Sequence, residues 1–195
     1  MNVVPKALRG LMAAFEAEFS PTVFVNFVTL MLSAIVTTGR HTVSQLIRNA
    51  GALADAHPSS YHRVLSQRVW SPWPLAKALA TCIINTFLPT GSIMLVGDET
   101  VTEHTGKRVF GKGMHRDAKR SSNNHVAHLF GHKWVVLAIL VQLPMTHRPW
   151  ALPVLVALYR SPPKGTKKSQ NKDHTQPRHK TPCDIMRQLV AAFLL

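Results

Sequence analysis

With 195 residues, 46% of them apolar, the chain is long enough for one ordinary domain or a small domain plus part of a larger one, and too apolar for wholesale disorder. Its 23 Lys and Arg against 9 Asp and Glu give a formal charge of +14, which favours a polyanionic partner, nucleic acid first and an anionic membrane surface second. Two cysteines, Cys82 and Cys183, lie far apart without CxxC spacing, which argues against a disulfide framework or structural zinc and fits a reducing cytosol.

Leu8, Leu11, Met12, Phe15 and Phe19 recur at helical spacing, so Pro5 to Phe19 is expected to form an amphipathic helix; Glu16 and Glu18 keep it from being a signal peptide. Thr22 to Thr38 is free of charge for 17 residues, the lower limit for a membrane span. It carries Asn26, Thr29 and Ser33 and has no long apolar companion, so a buried core helix is expected, with a membrane-associated protein as the rival reading. Thr42-Val43-Ser44-Gln45 has the form of a capping box that starts a short helix ending at Ala50-Gly51. A second short helix is expected from Pro58-Ser59, carrying Tyr61, His62, Arg63 and Arg68. The pair resembles a helix-turn-helix, but its connection is longer than the usual turn, and a small helical bundle with solvated arginines accounts for it as well.

Ser71-Pro72-Trp73-Pro74 reads as a rigid turn and Leu75 to Leu88 as a mostly apolar helix. Ile93 to Val96 is then a short apolar run ending in Gly97-Asp98-Glu99-Thr100, which reads as a buried strand with Asp98 where the strand leaves the sheet. Lys133 to Leu143 and Trp150 to Tyr159 are two more strand-like runs joined by a hairpin-length loop, and Pro153 places the last at an edge or a bulge. Residues 161–182 hold six Lys or Arg and one acid and read as a flexible basic loop. Thr181-Pro182, with Asp184 in the first turn, opens a helix whose apolar stripe runs from Ile185 to Leu194.

A helical region over 1–90 followed by three strands, a basic loop and a helix over 91–195 resembles the first half of a ribonuclease-H-like domain, an α+β or α/β architecture. The segments VGDETVTEHTGKRVFGKGMHRDAKRSS, HLFGHKWVVLAILV and RPWALPVLVALYRS resemble those of bacterial insertion-sequence transposases of the DDE superfamily. GRHTVSQLIRNAG and SSYHRVLSQRVWS resemble that family's N-terminal part, so the likeness covers nearly the whole chain and is most specific from Gly97 to Arg160. It implies that Asp98 is the first of three metal-holding catalytic carboxylates. Phosphodiester cleavage and strand transfer in such enzymes use two Mg²⁺ ions held by carboxylates and substrate phosphates. It implies DNA as partner, with self or an intact transposase beside it, no stable membrane association, and a cytoplasmic or nucleoid-associated location.

The family's second Asp belongs on a strand after the last helix, and its Glu further on. Glu99, Glu103, Asp117, Asp173 and Asp184 do not stand at those places, so a truncated transposase with one third of its triad is expected, inactive by itself or acting as a DNA-binding competitor. Its first strand would then show an unpaired apolar edge and make the polypeptide poorly soluble. Lys107, Arg108, Lys112, Arg116, Lys119 and Arg120 lie beside Asp98 in sequence and could position a phosphate backbone; a solvated loop is the plainer account. Asp98 itself could instead cap a turn. Glu99 is expected to point away from it. His104, His115, His125, His128 and His132 invite zinc, but no Cys joins them and DNA-facing or solvated histidines are the better reading.

Overall fold

The charge-free segment after Ser20 becomes the helix around which the N-terminal residues pack. In the computed structural model, which describes residue 4 and residues 6–106, 109–161 and 179–194, this helix is α2, Pro21–Val36. It follows a 3₁₀ turn, Lys6–Leu8, and α1, Arg9–Glu16, and precedes α3, Val43–Ala50, a 3₁₀ turn Gly51–Leu53, and α4, Pro58–Ser66. One face of α2 buries Phe24 and Val28 with Met12 and Phe15; the other buries Val23 and Leu30 with Leu46, Tyr61 and Val64. A helix apolar on two faces must be covered on both, which is why it reads as hydrophobic nearly all round. Three hydroxyls along it and at its C-terminal end are satisfied by the helix backbone: Thr29, Ser33 and Thr37 each donate to the carbonyl four residues back, at 2.9, 2.7 and 2.6 Å. No helix among the described residues is long and apolar enough to cross a membrane.

Local signals set most helix ends. The Thr42 hydroxyl accepts from the Gln45 amide at 3.3 Å, but the Gln45 side chain donates to Asn49 instead of reaching back, so only half of the expected capping box forms. α4 stops at Ser66 and leaves Arg68 beyond it. The expected rigid turn at Pro72-Trp73-Pro74 is instead the first turn of α5, Pro72–Phe87. Proline lacks only the amide that a first turn leaves unpaired, and the Ser71 hydroxyl accepts from the Trp73 amide at 3.3 Å.

The chain divides into two compact units, Met1–Cys82 and Ile83–Leu195. The second is built on an antiparallel sheet of four strands: β1, Leu95–Glu103; β2, Gly113–Arg116; β3, His128–Val141; and β4, Trp150–Tyr159. β3 is central. β1 lies along one side of it over 131–139, while β4 pairs with 133–141 and β2 with 128–131 on the other. β2 was not expected: four residues, GMHR, are too few to show a period, and β3 supplies their partner. The register of β4 shifts between Leu137 and Ala138, beside Pro153, which is the bulge that a strand proline requires.

Antiparallel alternation gives the sheet two unlike faces. Leu137, Ile139 and Val135 point to one, where α6, Pro182–Phe193, lies across β3 and β4 with Ile185 and Leu189 buried. Thr181 and Asp184 complete the capping box of α6 in both directions, at 3.2 and 3.0 Å. Met186 passes over Gly97, whose missing side chain leaves it room. The mixed α/β arrangement expected from the sequence is thus present, and it fits a ribonuclease-H-like domain.

Candidate active-site face of the sheet

Asp98 is the fourth of nine residues in β1, not the residue at which the strand ends. The segment Asp98–Glu103 reads as loop because it is polar, yet it continues the pairing with β3, opposite residues 131–136. Asp98 therefore stands on the open face of the sheet, opposite Val136, exposed, with one carboxylate oxygen accepting from the Glu99 amide at 2.7 Å. Val96, Asp98 and Thr100 form one wall of a shallow groove of about 310 Å³ completed by Val136, Ala138, Ala151 and Pro153. Here the sheet is apolar, and among the described residues of this unit no helix or strand packs over it: Val156 is 52% exposed, and Val96 is exposed as well.

Glu99 points to the opposite face, as alternation requires, and pairs with Lys133 at 2.8 Å. Among the described residues β1 has β3 as its only partner strand, and Asp98, Glu99 and Glu103 lie along it. The apolar start of this edge, Ile93, Met94 and Val96, is exposed, as expected, and the three carboxylates follow it along the strand.

Lys107 and Arg108, and nearly all of the basic loop, lie outside the described residues. The remaining basic candidates are close to Asp98 in sequence but not in the sheet. Arg116 pairs with His128, eight residues along β3 from Val136, which is roughly 25 Å at the rise of an extended strand. Lys119 and Arg120 belong to the next turn, where the Asp117 carboxylate accepts from both amides at 2.9 and 3.3 Å and pairs with the Arg120 guanidinium at 3.6 Å. Asp117 is thereby a turn-former. Lys112 lies over the Phe130 ring, 4.2 Å from its centroid, and also donates to the Gly106 carbonyl.

The histidines do not form a metal-binding group among the described residues, where no set of three or more His, Cys, Asp or Glu could hold a metal ion. His128 and His132 are strand residues rather than helical neighbours. The His132 Nε2–H donates to the Phe110 carbonyl oxygen, 2.9 Å away. His115 is 4% exposed on β2, edge-on to Tyr159, and its Nε2 has no hydrogen-bond partner. Burial above all, and then the Lys133 ammonium, hold this imidazole below its ordinary value, opposed by Glu99 and by a hydrogen bond to the Gly131 backbone.

The sign of that shift sets a pH dependence. The unfolded chain takes up this proton near pH 6.5 and the folded chain only at lower pH, so stability falls as pH drops below about 6.5. His115→Phe, which keeps a ring against Tyr159, is expected to shrink the fall in melting temperature between pH 7 and 5. An unchanged fall would show that His115 does not contribute.

Sequence reasoning missed a row of rings on the open face. Phe130, His132 and Trp134 alternate in HLFGHKW and so stand on one side of β3; the i, i+2, i+4 pattern was the available signal. Arg160 lies 4.9 Å from the centroid of Phe110, which is 72% exposed.

A family model described as DDE superfamily endonuclease matches residues 15–194. No curated protein and no solved structure matches the chain. Enzymes of this superfamily generally use a divalent metal and act on DNA. Asp98 by itself does not fit such a centre, because one carboxylate leaves most of the coordination of a hard divalent ion open. With the match extending over both the helical region and the sheet, the chain belongs to the DDE superfamily of endonucleases, and its activity class is that of a transposase-like nuclease.

Proposed function

We propose that the chain serves DNA transposition as the part of a transposase that presents the first catalytic carboxylate, Asp98, and that it binds DNA without cutting it when alone. The observation that carries this reading is the position of Asp98: an exposed carboxylate on the sheet face opposite the last helix, with Glu99 turned away and no further carboxylate gathered beside it among the described residues. A Mg²⁺ pair needs more than one such ligand, so chemistry requires acids that this face does not bring together. The charge of +14, including Lys112, Arg116, Lys119 and Arg120, supports attraction to the phosphate backbone.

The test is a binding and nicking assay on supercoiled DNA. Affinity is expected to fall by about a hundredfold or more between 50 and 200 mM salt, as counterions released by phosphate contacts are paid back. No Mg²⁺-dependent nicking is expected. Salt-independent binding contradicts the DNA reading, and nicking that disappears in Asp98→Ala contradicts inactivity. The β1 edge supports a second reading, in which the chain competes with or joins an intact transposase. Co-expression with that enzyme separates the two, since a mere bystander leaves transposition frequency unchanged.

A further inference from the structure

The open face of the sheet carries more than Asp98. Phe130, His132 and Trp134 stand along it on β3, spaced by about 6.7 Å at the rise of an extended strand. The His132 ring lies 5.7 Å from Trp134 and 5.6 Å from His104, so the rings form a nearly continuous strip. By register Thr102 faces His132, Thr100 faces Trp134 and Asp98 faces Val136, so the strip runs along β3 and ends beside Asp98.

Two cations lie over exposed rings beside it: Lys112 over Phe130 at its far end, and Arg160 over Phe110, whose carbonyl meets His132. Phe130 is 50% exposed, and the Phe110 turn is held in place because Gly111, at φ +75°, lets the chain press against Leu158. Large rings left open to solvent are unusual on a sheet face. Rings paired with cations, aligned toward a carboxylate, form a surface that takes bases on the rings and phosphates on the cations.

We infer that this strip binds single-stranded DNA, stacking unpaired bases on Phe110, Phe130 and Trp134 and leading the strand toward Asp98. Paired bases cannot stack this way, because in a duplex their faces are covered by neighbours. A base that takes the Phe130 or Phe110 ring moves Lys112 or Arg160 onto the adjoining phosphate. The inference rests on the DNA reading above and adds to it the form of the substrate: an opened or frayed strand rather than intact duplex.

The experiment measures anisotropy of end-labelled oligothymidine and of a blunt duplex with the full chain, in chelator, so that no cleavage enters. Phe110→Leu and Phe130→Leu keep an apolar side chain but remove the ring; each is expected to weaken oligothymidine binding about tenfold and duplex binding by less than about twofold. Phe130→Trp is expected to retain or strengthen single-strand binding. Lys112→Gln is expected to lower the salt slope by about one for the single strand. Melting temperatures stay at the parent value, since both rings are exposed.

Leucine variants that bind oligothymidine like the parent overturn the inference, and so does an equal loss for single strand and duplex. A parent that binds duplex but not oligothymidine overturns it while the DNA reading stands. A parent that binds neither removes both.

Discussion

Gly131→Ala is expected to destabilise the sheet unit by about 3 kcal/mol. Gly131 is paired with Glu103 of β1 on one side and Gly113 of β2 on the other, so three strands meet at this residue. A Cβ there would fall on the carbonyl group of Thr102 and come within 3.0 Å of the Glu103 Cα. All of these are backbone atoms, and they can yield only if β1 gives up its register. Gly97→Ala makes the control. Its Cβ would meet Met186 at 2.5 Å, but only at the sulfur and methyl of an unbranched side chain that can rotate away, so a cost below about 1 kcal/mol is expected. Urea denaturation followed by circular dichroism measures both; equal costs would show that backbone contact is not what excludes a side chain at 131.

The second large effect is expected in the helical unit. Tyr61 has no exposed surface and sits among Val23, Leu30, Leu46 and Val64, where α2, α3 and α4 meet. Tyr61→Ala empties that position and is expected to cost about 4 kcal/mol, the transfer of a ring plus the cavity left behind. Tyr61→Phe separates packing from hydrogen bonding. It removes only the hydroxyl that accepts from the Ala56 amide at 3.3 Å, so about 1 kcal/mol is expected. A phenylalanine variant as unstable as the alanine one would place the stabilisation in the hydroxyl rather than the ring.

Sequence patterns were most informative where one short segment decides the outcome. Thr181, Pro182 and Asp184 predict the start of α6, and all three act as their types suggest. The charge-free run after Ser20 predicts a core helix, and α2 is buried on two faces. Pro153 predicts an edge or bulge, and the register shifts beside it. Glu99 is turned from Asp98 by strand alternation alone. In each case the physical cause is local: a cap, a missing amide, or a period.

Where a segment's conformation depends on a distant partner, the pattern misleads. DETVTE is polar enough to read as loop, yet it is strand because β3 offers a matching row of backbone groups. GMHR is strand for the same reason. Pro72 and Pro74 look like turn residues until a helix needs a first turn with few amides to satisfy. Basic residues that follow Asp98 closely along the chain are carried away from it, because a strand converts sequence separation into about 3.3 Å per residue.

The chain's own letters thus determined its charge, its helix boundaries at caps, the alternation that sends Asp98 and Glu99 to opposite faces, and the family it belongs to. Only the tertiary structure decided that Asp98 lies within a strand, on the apolar sheet face opposite the last helix, at the end of a strip of rings. Strand pairing and register join residues far apart in sequence, and no local preference contains that information.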